Sequence, residues 1–386
     1  MKIVHIVHSL GIGGLENGLV NILSRQEVND FQHVVCCLTA AGKMAERIDD
    51  QRIQIMELGL SANGFRFPIM RLTQLLRRLK PDVVHTRGWP TVDAIFASFL
   101  AKVPHIIHGE HGREYSDVAG HSWKRNQIRN IIGRIVDRYV IVCNFFRPWL
   151  NQSCRVKNDR IVLIPNGVDT DKFRPPPVYA RRADGNGDEA KLALRRKLGL
   201  PADSMLVGTV GRLDPVKDFP TLLRGFKETV LRFPTALLVV VGDGPLRAEL
   251  VRIVENLGLA RSILWLGERK DIADLLRCFD LFVQTSIFEG MSNTILEAMS
   301  TGLPVVATNT GGNPEVVSPD NGILVDVADS HAVAEAMLTY LTNDDVRNSH
   351  GTQSRRRATD YFGLSLMASR YAQLYVDVLN DSTAHA

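Results

Sequence analysis

The sequence predicts an α/β protein made of two doubly wound, Rossmann-like domains with parallel sheets. Three observations carry this expectation: short β-branched runs recur along the chain, helical patterns separate them, and the runs are continuously apolar rather than alternating. Strands without alternation belong to sheets covered on both faces, and helical crossovers between parallel strands supply that cover. In the first half the runs are KIVHIVH (2–8), HVVCCL (33–38), DVVHT (82–86), HIIHG (105–109), YVIVC (139–143) and IVLIP (161–165). In the second half MLVGTVG (205–211), ALLVVVG (236–242), ILWLG (263–267), LFVQT (281–285) and PVVAT (304–308) repeat the theme.

The boundary between the halves is written in turn chemistry. PNGVDTDKF (165–173) and then RPPPVYARRADGNGDE (174–189) pass from turn-forming to proline-rich to glycine- and charge-rich sequence. We read 1–165 as a first domain, 166–190 as hinge and surface loop, and 191–364 as a second domain. SLMASRYAQLYVDVL (365–379) is helical in pattern and no strand follows it.

A chain of 386 residues with 45% apolar content can fill two cores. The net charge of +4 names no partner, but its distribution is uneven. Residues 1–165 hold 22 Lys and Arg against 14 Asp and Glu, and residues 166–386 hold 24 against 28. A basic first half suits an anionic acceptor or an acidic membrane surface, with a plain solvated face as the other reading. Five cysteines without a C-x-x-C pair, several inside apolar runs, read as reduced core thiols of a cytoplasmic protein. No apolar run reaches the ~20 residues that cross a bilayer. The start MKIVHIVHSLGIGG is interrupted by His5 and His8 and reads as a first strand rather than a signal peptide.

Ligands of doubly wound sheets bind beyond the carboxyl ends of the strands, so the strand ends are where chemistry is sought. After the first strand, Gly11, Gly13 and Gly14 allow a tight turn with free amides at a helix start, which suits an anion. A dinucleotide fingerprint would need glycine where Glu16 stands. After the first strand of the second domain, GRLDPVKDF (211–219) brackets a loop with Arg212 and Lys217, a planar fork and a compact ammonium that together fit a diphosphate. GDGP (242–245) permits close backbone approach or is a simple turn. FEGMSNTILEAMSTGLPVVAT (288–308) places Glu289 before a helix and Glu297 within its first turns. Carboxylates there accept hydrogen bonds from vicinal hydroxyls, and the amides from Gly290, Met291, Ser292 and Asn293 are placed to meet further oxygens. The competing reading is a T-x-x-E capping box from Thr294 to Glu297. HIIHGEHGREY (105–115) sets His108 and His111 around Glu110, as rim or core imidazoles or as contacts to a sugar hydroxyl. Asp169 and Asp171 form a D-x-D pattern of the kind that holds metal, but inside hinge-like sequence. No Ser–His–Asp or Cys–His nucleophile is evident.

In order, GGLE (13–16), EHG (110–112), PNGVD (165–169), GRLDPVK (211–217), GDGP (242–245) and FEGMSNTILEAM (288–299) resemble glycosyltransferase family 4, retaining enzymes of the GT-B fold. The look is nearest to bacterial exopolysaccharide and exosortase-associated sugar transferases. The resemblance implies two domains facing a central cleft, with 365–386 packing back on the first. It implies transfer from a nucleotide-diphosphate-sugar to a glycan or polyprenyl-diphosphate-linked acceptor, with retention and without metal, cofactor or nucleic acid. Arg212 and Lys217 would hold the donor diphosphate, approached by Gly13 and Gly14 from the other domain. Glu297 would hold the ribose, Glu289 and the amides of 290–293 the transferred sugar, and His111, or His108 in another register, the sugar near its reacting carbon. The carboxyls of Glu289 and Glu297 are expected farther apart than the ~5–5.5 Å of a retaining hydrolase, so no glycosyl-enzyme is expected. The first domain would carry the acceptor. NGFRFPIMRLTQLLRRLK (63–80), with Phe65, Phe67 and Arg66, and WKRNQIRNIIGRIVDR (123–138) are candidates for resting on the cytoplasmic face of the inner membrane. A nucleotide-sugar 2-epimerase and a non-catalytic nucleotide-sugar-binding protein are the rival readings. Epimer formation from donor alone would mark the first, and binding without turnover the second.

Overall fold

The computed structural model describes residues 1–11, 13–60, 69–112, 122–176 and 189–383. The chain divides into two units, Met1–Gly167 with Leu364–Ala386, and Val168–Gly363. The sequence reading placed the boundary at 165 and a hinge through 190; residues 177–188 of that segment lie outside the described residues.

The first unit runs β1 (Lys2–Val7), α1 (Gly14–Leu23), β2 (Gln32–Cys37), β3 (Gln54–Glu57), α2 (Ile69–Leu79), β4 (Val83–Arg87), α3 (Val92–Leu100), β5 (His105–Glu110), α4 (Trp123–Ile132), β6 (Arg138–Ile141), α5 (Phe146–Gln152) and β7 (Ile161–Leu163). Its sheet is ordered β3-β2-β1-β4-β5-β6-β7, and every pairing is parallel. The chain works outward from β1 to β3, returns through α2 to β4, and works outward the other way. The switch point therefore lies between β1 and β4. Right-handed crossovers place α2, α3, α4 and α5 in one layer. Leu72 and Leu76 of α2 and Ala94 and Ala97 of α3 pack on Val4, Ile6, Val34 and Val84 of the sheet face beneath.

The second unit runs α6 (Glu189–Lys197), β8 (Met205–Val210), α7 (Phe219–Arg232), β9 (Ala236–Val241), α8 (Arg247–Asn256), β10 (Ile263–Gly267), α9 (Ile272–Cys278), β11 (Leu281–Gln284), α10 (Asn293–Ser300), β12 (Val305–Thr308), α11 (Asn313–Val316), β13 (Gly322–Val325), α12 (Ser330–Thr342) and α13 (Asp344–Tyr361). Its parallel sheet is ordered β10-β9-β8-β11-β12-β13, with the switch point between β8 and β11. Asp218 caps α7, accepting from the Thr221 amide at 3.3 Å, and Asp329 and Asn343 cap α12 and α13 in the same way.

After Gly363 the chain re-enters the first unit as α14 (Leu364–Thr383), five residues longer than the sequence pattern suggested. Leu364, Met367, Tyr371, Leu374 and Tyr375 of α14 pack on Ile3, Val83, Ile107 and Val140, the sheet face opposite to the α2–α5 layer. β3 and β13 are additions to the strands read from sequence. β3 is QIME, polar at both ends and half-buried at the sheet edge, and β13 is four residues emerging directly from a turn. All five cysteines are buried, and none is joined in a disulfide. Burial pushes the Cys36 thiol up to about 12 and that of Cys37 up to about 11.

Candidate active site

β8 and β11 are neighbours at the centre of the second sheet, where chain order reverses and the loops leaving the strands diverge. The loop after β8 carries Lys217, and the loop after β11 carries Glu289. The Lys217 ammonium pairs with Oε1 of Glu289, and Ser286 Oγ donates to the same oxygen at 2.8 Å. Both charged side chains are mostly covered, yet solvent still reaches each, the lysine 22% and the glutamate 13% exposed. An incoming anion can therefore compete with Glu289 for the ammonium.

The sequence reading gave Lys217 to a phosphate and Glu289 to a sugar; in the structure the two hold each other. Arg212, on the same loop, is mostly exposed, and its Nε donates to Oδ2 of Asp214 at 2.7 Å.

Backbone contacts fix this junction. The Ile287 amide donates to the Val216 carbonyl at 2.7 Å, and Thr285 Oγ1 donates to the carbonyls of Lys217 and Asp218 at 3.2 and 3.0 Å. The Gly312 amide donates to the Glu289 carbonyl at 3.1 Å. Gly311, at φ +54°, lies so close that a Cβ there would stand 1.7 Å from that carbonyl oxygen. The glycines of GDGP also serve close approach, but toward the protein's own chain. A Cβ on Gly242 or Gly244 would stand 2.0 Å from Gly211 O or 2.5 Å from Leu213 O.

α10 begins at Asn293, capped by Ser292, whose Oγ accepts from the Ile295 amide at 3.3 Å. Thr294 is therefore inside the helix, bonded to Ser292 Oγ at 3.1 Å and to Gln284 Nε2 at 3.2 Å, and the Thr294–Glu297 capping box does not form. Glu297 stands half-buried in the second turn. Gly290, Met291 and Ser292 are buried and Asn293 is half-buried.

In the D-x-D segment the Asp169 Oδ1 accepts from the amides of Asp171 and Lys172 at 3.1 and 3.0 Å. Arg355 pins the same segment by donating to the carbonyls of Thr170 and Phe173 at 3.0 and 2.9 Å.

In the first unit, Gly13 is the N-cap of α1 and Gly14 its first residue. The Glu16 carboxylate folds back over Gly13, so a Cβ there would stand 2.3 Å from Oε2, and burial raises the Glu16 carboxyl above its usual range.

The segment HGEH (108–111) divides three ways. Glu110 is buried and accepts from Arg129 Nε at 2.8 Å, and the Arg129 guanidinium lies between the Trp89 and Trp149 rings, 4.5 and 4.7 Å from their centroids. Burial alone would raise the Glu110 carboxyl, but Arg129 and His108 pull it down to about 2. His108 is fully enclosed, with Nδ1 2.8 Å from Thr86 Oγ1 and its ring edge-on to Tyr139. His111 stands beyond the end of β5, half-buried, its ring over Gly109; Nε2 is enclosed and has no hydrogen-bond partner. Of the two imidazoles, that of His108 is sealed in the interior and that of His111 keeps partial exposure.

Two family models match the chain: "Glycosyltransferase Family 4" over residues 12–172 and "Glycosyl transferases group 1" over residues 190–357. An Escherichia coli UDP-Gal:alpha-D-GlcNAc-diphosphoundecaprenol alpha-1,3-galactosyltransferase is 31% identical over 325 residues, 81% of this chain and 79% of that protein. The chain belongs to glycosyltransferase family 4. A Bacillus subtilis protein named as glycosyltransferase EpsF is likewise 31% identical, over 80% of this chain and 79% of its own. Among solved structures, Anabaena HepE in complex with UDP-glucose superposes with a TM-score of 0.82 at 22% identity, covering 98% of this chain and 100% of that one. WaaG, described as a glycosyltransferase involved in lipopolysaccharide biosynthesis, gives 0.75 at 15%, covering 96% and 99%. These likenesses establish the GT-B fold for this glycosyltransferase.

The structure adds residues that the sequence reading passed over. Ser286 and Thr285 organise the Lys217–Glu289 junction from the end of β11. Arg87, at the end of β4, is 2% exposed and is met by His5 and His85. A signal was present: His5 and His85 interrupt two apolar runs at positions that pair in register across β1 and β4.

Proposed function

We propose that this family 4 glycosyltransferase moves a sugar from a nucleotide-diphosphate-sugar to a lipid-linked or glycan acceptor with retention, without a metal ion, in the assembly of a cell-surface glycan such as an exopolysaccharide. The observation that carries the reading is the meeting of Lys217 and Glu289 at the β8/β11 switch point. There a cation for a diphosphate and an acceptor for sugar hydroxyls stand side by side. The E. coli relative is named for a UDP-sugar donor and a diphosphoundecaprenol-linked acceptor, and HepE was crystallised with UDP-glucose.

In this account the diphosphate takes the Lys217 ammonium and the exposed Arg212 fork, which releases Glu289 to the transferred sugar. Glu297 holds the ribose. The bond from the anomeric carbon to the diphosphate oxygen breaks as the acceptor oxygen bonds the same face. The acceptor proton passes to the departing phosphate oxygen. Arg212 and Lys217 stabilise the charge gathering on that leaving group, the task a metal ion performs elsewhere. Positioning supplies the rest. His111, uncharged, hydrogen-bonds the sugar beside the reacting carbon.

The acceptor side rests on the α2–α5 layer of the first unit. Met70 on α2, Phe99 and Leu100 on α3, and Trp123 and Ile131 on α4 are large apolar residues exposed on that layer. Arg71, Arg77, Arg78, Lys102, Lys124 and Arg134 are interspersed. Apolar and basic side chains mixed on one face suit an anionic leaflet. Phe65, Arg66 and Phe67 lie outside the described residues. No described helix is long and apolar enough to cross a membrane. The reading places the enzyme on the cytoplasmic face of the inner membrane.

The test is to incubate the protein with UDP-, GDP- and ADP-sugars and polyprenyl-diphosphate-linked acceptors, then determine the anomeric configuration of the product by NMR. An inverted linkage, or epimer formation from donor alone, contradicts the proposal.

A further inference from the structure

Arg87 is among the largest fully buried side chains of the protein, and no carboxylate lies within ion-pair distance of it among the described residues. Burying a guanidinium without a counter-ion costs several kcal/mol, so its surroundings need explaining. Nη1 is 2.9 Å from His5 Nδ1, and Nη2 is 3.3 Å from His85 Nδ1. The guanidinium also lies 5.9 Å from the Tyr371 ring centroid, and Nε has no partner.

Because an arginine only donates, these contacts dictate the protonation of the whole cluster. His5 and His85 accept at Nδ1 and so are uncharged. The remaining proton of His5 is on Nε2, 2.9 Å from His33 Nδ1; His33 in turn donates from Nε2 to the Val28 carbonyl at 3.0 Å. The chain of bonds has one direction, from the Arg87 cation outward through two neutral imidazoles to a backbone oxygen. The Tyr375 hydroxyl, 3.0 Å from His85 Nδ1, closes it from α14.

The other end of this arrangement is His111. A Cβ built on Gly109 would stand 3.6 Å from Arg87 Cγ and 2.6 Å from His111 Nε2, so the arginine stem and the His111 ring flank the same glycine. We propose that Arg87 is a positioning residue: its enclosed charge, carried by neutral His5 and His85, keeps the neighbouring His111 an uncharged hydrogen-bonding group. This rests on the reading of His111 as a contact to the transferred sugar. An imidazolium there would repel the positive charge that develops on the sugar as the leaving group departs, whereas a neutral ring does not.

The groups around the cluster agree. His5 on β1, His33 on β2, His85 on β4, His108 on β5 and Tyr371 and Tyr375 on α14 bring no negative charge to Arg87. The nearby carboxylate, Glu110, is engaged by Arg129. Burial first, then Arg87 and His108, push His111 down to about 3, with Glu110 opposing.

The experiment is an NMR pH titration of the full chain labelled in its histidine rings, with the His111 signal assigned through His111→Gln. In the wild type, His111 remains neutral down to pH ~5, against an ordinary midpoint of ~6.5. In Arg87→Met its midpoint rises by at least about one pH unit, and Arg87→Lys restores the wild-type curve. Gly109→Ala, which retains Arg87 and displaces the ring, is the second variant should Arg87→Met not fold; it too raises the midpoint. A wild-type His111 that titrates near 6.5, or variants that leave its midpoint unmoved, would overturn the proposal. The titration needs no substrate, so it stands apart from the transfer reaction: full activity in His111→Ala removes the sugar contact from the proposed function, while an unmoved midpoint removes Arg87's role.

Discussion

At the end of β8 a lysine meets a glutamate across a loop junction that solvent reaches; at the end of β4 an arginine is folded beneath α14, and among the described residues no carboxylate pairs with it. Both stand at the switch point of a parallel sheet, and both sheets are wound alike. The difference lies in what each cation can do. Lys217 holds a partner that a stronger anion can replace, so its charge is available to a ligand. Arg87 is 2% exposed, and its charge acts through its field on the imidazoles around it. An accessible ion pair serves binding, whereas an enclosed, uncompensated cation conditions the groups beside it.

The largest effect is expected at the accessible pair. Lys217→Ala and Arg212→Ala should each lower turnover by roughly 10²-fold or more, the scale of losing a donor aimed at developing charge. Steady-state kinetics decides this, and unchanged turnover in either variant removes that residue from the diphosphate.

The enclosed charges should answer in stability instead. Glu110→Gln leaves Arg129 buried between Trp89 and Trp149 without its carboxylate. It should cost about 3–5 kcal/mol in urea unfolding, and a loss below 1 kcal/mol would show that the pair is not sealed.

Acid should separate the two units. Burial first, with Arg87 adding in each case, holds His5, His33, His85 and His111 below the ordinary histidine value. In the unfolded chain these groups take up protons near pH 6.5 while the folded first unit refuses them. The stability they confer is therefore complete above ~6.5 and is lost as pH falls below it. The second unit holds only His331 and His350. Three of the four tryptophans, Trp89, Trp123 and Trp149, lie in the first unit, so fluorescence-detected urea midpoints should fall between pH 7 and 5. A flat midpoint over that range contradicts the buried neutral cluster.

Much of this was legible in the sequence, for identifiable reasons. Long apolar β-branched runs announce central strands whatever their context, and the residues just after them must lie at strand ends, which is how Arg212, Lys217 and Glu289 were singled out. β3 escaped because an edge strand is half-solvated and its QIME carries no apolar run. The bond between Lys217 and Glu289 joins residues 72 apart in sequence, and no local pattern encodes it. Arg87 escaped because H-T-R-G after a strand looks like the start of a solvated loop. Its burial depends on α14, which returns from the far end of the chain to cover it.

A smaller loss is expected where the backbone alone holds the accessible junction. Gly311→Ala, at a positive φ and against the Glu289 carbonyl, should cost about 1–3 kcal/mol and loosen donor binding. An alanine that leaves both unchanged would mean the loop readily relaxes. The smallest expected effect is none: transfer should survive EDTA, since Arg212 and Lys217 carry the positive charge in this account. Abolition by chelation with rescue by Mn²⁺ would return attention to Asp169 and Asp171.

The most direct test of the accessible pair is calorimetric titration with whichever of UDP, GDP or ADP stabilises the protein most. It compares wild type, Lys217→Ala and Glu289→Gln. If the diphosphate replaces Glu289 on the ammonium, Lys217→Ala binds at least about 10-fold more weakly, roughly the worth of one charge-assisted hydrogen bond. Glu289→Gln, with the competing carboxylate neutralised, binds the nucleotide as tightly as wild type or tighter, yet loses the added affinity of the nucleotide-sugar. Equal nucleotide affinity in wild type and Lys217→Ala would contradict the account.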